Sequence, residues 1–150
     1  MSQLSVTDIL LRLGVAALIG AVLGVDRELK GKPAGARTMA LVALGSAVFT
    51  LVAIDRTTNL DAVSRVIQGV ITGVGFLGAG AILHRGSPPS DGGAGGVKGL
   101  TTAATVWLVA ALGIASGLAY WPIVAVGTAL GLLLLVLSPI EDWIGRRFGD

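Results

Sequence analysis

The amino-acid sequence predicts an all-α, polytopic membrane helix bundle with about five transmembrane helices. Three observations carry this expectation. Hydrophobic residues make up 53% of the chain and charged residues only 13%, about half the ~25% usual in soluble domains. Mean hydropathy is +0.84. The apolar residues also fall in long blocks rather than in amphipathic stripes, so lipid must solvate most of this surface. On length, residues 1–150 make a single transmembrane domain.

Five blocks can be drawn: Ile9–Val25, Met39–Ile54, Val66–Leu83, Ala103–Leu118 and Tyr120–Leu137. All are near the short end of the ~17–25 residues that cross a bilayer core. The first is too long for a removable signal and lacks a small-residue cleavage site followed by a soluble chain. The stretch GVDRELKGKPAGARTMALV joins it to the second and concentrates Asp26, Arg27, Glu28, Lys30, Lys32 and Arg37. The last two blocks are parted only around Gly117 to Pro122, where Tyr120, Trp121 and Pro122 near a helix start predict a tight interfacial hairpin.

Lys and Arg set the expected orientation. With five spans, Arg27, Lys30, Lys32, Arg37, Arg85, Lys98, Arg146 and Arg147 share one side, and only Arg12, Arg56 and Arg65 lie on the other. The positive-inside bias places the N-terminus outside and the C-terminus in the cytoplasm. The small net charge of +2 and the placement of basic residues at block ends speak for topology and against nucleic-acid binding.

Topology explains the basic residues of the first loop but not its carboxylates, since acidic residues contribute little to orientation. Asp26 can pair with Lys30 at i,i+4 if the helix continues, and Arg37 is a further candidate partner. Asp26 and Glu28 point ~200° apart in an unbroken helix. Either the helix ends near Asp26 and both converge with Arg37, Thr38 and Thr101, or they serve different partners. A converged cluster either closes as an ion-pair network with Arg27 and Arg37 or holds a hydrated Mg²⁺ through Asp26 and Glu28, which nearby positive charge disfavours.

The third block contains Gly73-Val-Gly75-Phe-Leu-Gly78, a literal G-x-G-x-x-G. Its place inside an apolar run excludes a dinucleotide turn, which would leave backbone groups unpaired in lipid. Small residues in a membrane helix instead allow close approach, which makes Gly69, Gly73, Gly75, Gly78 and Gly80 candidate packing positions. They point to a third helix at the bundle centre or at a homodimer seam. Arg65, Gln68, Thr72, Gly75 and Ala79 form one polar-to-small stripe, expected to face the interior. Val66, Val70, Val74, Leu77 and Ala81 lie opposite and suit lipid.

The following loop, with Pro88, Pro89 and Gly92–Gly96, is a flexible connection. Lys98 is followed by Gly99 rather than Ser or Thr, so it is not a phosphate-binding loop. Thr101 and Thr102 are expected helix caps. With no cysteine and His84 the only histidine, no nucleophile–base pair or soft-metal site stands out, so catalysis has little to work with.

Three stretches together, GVDRELKGKPAGARTMALVALGS, DAVSRVIQGVITGVGFLGAGAIL and VKGLTTAATVWLVAALGIASG, resemble the signature blocks of the MgtC/SapB family of bacterial inner-membrane proteins. The family's charged and small motif positions fall on Asp26, Arg27, Glu28, Ala34 to Thr38, Asp61, Arg65, Gly75 to Gly80 and Gly99 to Ala104. The resemblance implies a multi-pass inner-membrane protein linked to growth under magnesium limitation and, in pathogens, to survival inside host cells. It implies action through contacts with other membrane machinery, including the proton-driven ATP synthase. Some members carry a C-terminal cytoplasmic domain, which a chain stopping at Asp150 is expected to lack. The candidate functional residues are thus Asp26, Arg27, Glu28, Arg37, Thr38, Asp61, Arg65, Gln68, Thr72, Lys98, Thr101 and Thr102. Two functions compete. A non-enzymatic regulator requires a dry bundle and an exposed small-residue face; an ion channel or transporter requires a water-filled interior lined by charge.

Overall fold

The computed structural model describes residues 4–56, 59–83 and 99–148, and side chains as far as residue 137. Among these residues the fold is all-helical: α1 (Val6–Leu29), α2 (Ala36–Arg56), α3 (Leu60–Leu83), α4 (Leu100–Gly117) and α5 (Trp121–Phe148). Four stretches are long and apolar enough to cross a membrane, namely Val6–Leu29, Ala36–Asp55, Leu60–Ile82 and Leu100–Gly117. The apolar part of α5, Trp121–Leu137, is shorter.

The helices outrun the apolar blocks because capping groups sit beyond the hydrophobic residues. Ser5 caps α1 by accepting the Asp8 amide at 3.1 Å, and Asp8 adds negative charge at the positive end of the helix dipole. At the other end α1 carries Asp26, Arg27 and Glu28 within its last turn. It stops where Gly31 takes φ 60° and the Gly31 and Lys32 amides bond back to the Glu28 and Arg27 carbonyls at 2.9 Å each. That left-handed termination favours glycine. Pro33 follows and cannot continue a helix.

The expected hairpin between the last two helices is present. The Tyr120 amide bonds the Ala115 carbonyl at 2.9 Å and the Ala119 amide bonds Ser116 at 3.0 Å, a Schellman-type end. Its left-handed position is filled by Ala119 at φ 58°, where glycine is the unstrained choice.

The centre of the bundle corrects the sequence-based expectation. Among the described residues α4, not α3, touches every other helix. Val106, Val109, Ala110 and Leu112 of α4 are buried with Ala16 and Leu23 of α1 and Met39, Ala43 and Ala47 of α2. The close approaches occur at other glycines than those singled out above. A methyl built on Gly113 would overlap the Ala43 carbonyl, and one on Gly20 or Gly24 would lie 2.5 Å from α2 backbone atoms. By contrast Gly69, Gly73, Gly75 and Gly80 have open space where a side chain would be, and Gly78 meets only Ala103 at ordinary contact distance. The two sides of α3 also depart from the expectation: Val74 and Ala81 are buried and Val66 and Val70 partly so, Leu77 stays exposed, and Arg65, Gln68, Thr72, Gly75 and Ala79 are exposed. α3 lies at the bundle edge against α2 and α4 alone, so only its β-branched and aliphatic side has neighbours to pack on.

Candidate functional site

The charges at the α1–α2 hairpin form two separate devices. Arg27 is 2% exposed, although it sits at the end of an apolar helix. Its Nη2 and Nε donate to Asp26 Oδ2 at 2.7 and 3.1 Å. Lys30 Nζ lies 2.8 Å from Asp26 Oδ1, one helical turn on, and also donates to the Leu135 carbonyl of α5 at 2.8 Å. Asp26 therefore has a cation on each oxygen. The cluster ties the end of α1 to α5 and makes the buried guanidinium tolerable, since an isolated buried charge is prohibitively costly.

Glu28 serves a different partner. Its Oε2 accepts the Ala36 amide at 3.0 Å, one of the donors that a helix N-terminus leaves unsatisfied. The carboxylate also packs against Gly35. α1 runs unbroken through both acids, so of the two arrangements open to them the divergent one is realised. The Asp26–Lys30 pair is present, whereas Arg37 does not join the carboxylates. Arg37 and Thr38 are exposed and face a cavity between α2 and α3.

A divalent cation fits this arrangement poorly. It would have to displace both Arg27 and Lys30 from Asp26 and the Ala36 amide from Glu28. No group of three or more Asp, Glu or His among the described residues is placed to ligate a metal.

The start of α4 also differs from expectation. Its N-cap is Gly99, at φ 98° and without a side-chain cap bond, and a methyl there would lie 2.5 Å from the Ala81 carbonyl. Thr101 and Thr102 lie inside the first turn. Thr101 is exposed, with its carbonyl accepting from Thr105 Oγ1 at 2.7 Å, and Thr102 is 2% exposed. Lys98, His84, Arg85 and the loop Ser87 to Gly96 lie outside the described residues. Asp61 and Arg65 are exposed at the start of α3, where the Asn59 side chain caps the Asp61 amide at 2.9 Å. Gln68 and Thr72 are exposed too, with the Thr72 hydroxyl turned back onto the Gln68 carbonyl at 2.8 Å.

A cluster at the opposite end went unassigned in the sequence. Arg12 Nη2 pairs with Asp8 at 3.0 Å, its Nη1 donates to the Gly117 carbonyl at 2.9 Å, and its own carbonyl accepts from the buried Ser116 hydroxyl at 2.8 Å. Arg12 thus holds the C-terminus of α4, where carbonyls lack partners and a cation suits the dipole. The i,i+4 spacing of Asp8 and Arg12 was the available signal. Ser116, distant in the chain, had none.

Between the two ends the buried hydroxyls are satisfied within their own helices. The Ser46, Thr50 and Thr105 hydroxyls donate to carbonyls of their own helices at 2.7 to 2.8 Å. Among the described residues no buried side-chain polar atom lacks a partner.

Long apolar helices around a close-packed core, with charges gathered at the two ends, define the membrane-embedded core of an integral membrane protein. Comparison with known proteins then gives the family. The profile of the MgtC family matches residues 13–143, and the chain belongs to this family. It is 50% identical over 111 residues to Protein SrpB of Synechococcus elongatus, covering 71% of this chain and 61% of SrpB. It is 36% identical over 151 residues to Protein SapB of Bacillus subtilis, covering 95% of this chain and 60% of SapB. Protein MgtC of Salmonella typhimurium is 42% identical over 109 residues, covering 73% of this chain and 43% of MgtC. The chain thus spans about 43 to 61% of the length of these relatives. No solved structure matches it.

Proposed function

We propose that this chain is a non-enzymatic inner-membrane protein that works by contacting other membrane proteins, supporting adaptation to magnesium limitation or acid stress. One observation carries the proposal. Only 6% of the apolar stretch of α3 is buried, against 61% for α4, and the exposed side holds Gln68, Thr72, Gly75 and Ala79. Small residues let a partner's backbone approach closely, and the Gln and Thr groups supply hydrogen bonds across the seam. The buried hydroxyls of Ser46, Thr50 and Thr105, each spent on a carbonyl of its own helix, favour this over conduction, which needs polar groups turned to a path.

In this reading the Asp26–Arg27–Lys30 cluster and the Glu28 cap shape the hairpin that presents α2 and α3. The basic hairpin is cytoplasmic by the Lys and Arg asymmetry. The partner is a membrane complex such as the proton-driven ATP synthase, or a second copy of the chain. The test is Gly75→Leu, which meets no internal neighbour and so leaves the bundle intact. Growth in low magnesium and co-purification of partners should both be lost. Full growth by a stably inserted G75L protein overturns the proposal, as does ion flux in liposomes containing this protein alone.

A further inference from the structure

A cavity of about 630 Å³ opens between α2 and α3, on a side of α3 away from the Gln68–Gly75 stripe. Gly45 and Phe49 of α2 and Gly69, Val70 and Gly73 of α3 line it, and Arg37 and Thr38 stand at one end. The glycines here meet nothing within 4 Å, so the groove is cut by missing side chains that no neighbour fills.

We propose that this groove is a site for an anionic phospholipid, with one acyl chain between α2 and α3 and the phosphate at Arg37 and Thr38. Two features select this occupant. The first is length: Arg37 to Phe49 spans ~18 Å of helix, about one leaflet of a ~30 Å hydrocarbon core. A packed helix would instead use the whole span. The second is charge, confined to one end. Arg37 has no ion pair among the described residues and begins α2, so its guanidinium sits at headgroup level. The nearest hairpin carboxylates are engaged elsewhere, Glu28 on the Ala36 amide and Asp26 on Arg27 and Lys30. The positive end of the α2 dipole adds to the attraction for phosphate, and a basic recess between membrane helices recognises acidic headgroups in this way. Apolar residues continue from that point inward, matching a lipid's own order of parts.

The test places the protein in nanodiscs of equal parts phosphatidylglycerol and phosphatidylcholine, extracts it gently, and measures retained lipid by native mass spectrometry. One Arg near the surface is worth about 1 kcal/mol toward anionic lipid, so phosphatidylglycerol should be retained roughly five-fold over phosphatidylcholine. R37Q, which removes no internal contact, should lower that ratio to near one. G73L, whose side chain starts in open space and fills the groove, should retain neither lipid. Equal retention of both lipids by the unaltered chain overturns the proposal. So does an unchanged preference in R37Q, undiminished lipid in G73L, or a dimer mass without lipid that G73L abolishes. G75L lies outside the groove and should keep the lipid, so failure here and failure of the partner contact are distinguishable.

Discussion

Replacing Gly113 by Ala adds a single methyl group at the point where α4 and α2 touch most closely. That methyl would overlap the Ala43 carbonyl oxygen and lie 2.9 Å from Ala43 Cα and 3.0 Å from its carbonyl carbon. All three atoms are backbone, so no rotamer change relieves the overlap, and α4 must move off α2 by ~1 Å. A gap of that size forfeits a quarter to a half of each van der Waals contact along the seam. Because α4 also contacts α1, α3 and α5, the shift propagates. Overpacking of this kind costs about 1–3 kcal/mol, and the upper half of that range applies where backbone must yield. Gly73→Ala is the matched control: it gains the same helix propensity, about 1 kcal/mol, and meets nothing within 4 Å. Melting in detergent, followed by circular dichroism, should place G113A about 5–10 °C below G73A. Equal melting temperatures would refute the assignment of α4 as the packed centre. The motif read as the packing helix in the sequence predicts the opposite order.

Asp26→Asn strips the buried Arg27 of its carboxylate and should destabilise the chain by about 3 kcal/mol, whereas Glu28→Gln keeps an acceptor for the Ala36 amide and should cost under about 1 kcal/mol; similar melting of D26N and E28Q would contradict the division of labour between the two acids. Ala119→Gly relieves the left-handed strain of the α4–α5 turn and should raise stability by about 1 kcal/mol, and a lowered melting temperature would count against that turn. Arg12→Met leaves the α4 C-terminus and Asp8 without their cation, so amide exchange over Ser116 to Tyr120 should speed up by about ten-fold; unchanged protection would refute the tie. Reporter fusions after residues 36 and 92 should both read cytoplasmic, and a periplasmic signal at either site would sink the proposed orientation.

The helical class, the approximate blocks, the turn around Ala119, the Asp26–Lys30 pair and the family could all be read from the residues alone. All of these follow from local or nearly local physics. Hydropathy accumulates over adjacent residues, an i,i+4 pair needs only an intact helix, and the family blocks are contiguous. Which glycines are packed and which lie open emerged only from the folded bundle. Gly69 and Gly73 have the same four-residue spacing along a helix as Gly20 and Gly24, and spacing says nothing about whether another backbone lies opposite. That depends on neighbours distant in the chain, as with Gly113 on Ala43 or Ser116 on Arg12. The partners of Asp26 and Glu28 were settled in the same way. The sequence placed two acids ~200° apart if the helix continued, and the fold brought Ala36 back beneath Glu28 while Asp26 stayed with Arg27 and Lys30. Arg37 was left facing the groove because its neighbours Ala36, Met39 and Ala40 are the α2 residues held against Gly24 and Gly20 of α1, while Arg37 lines the cavity toward α3.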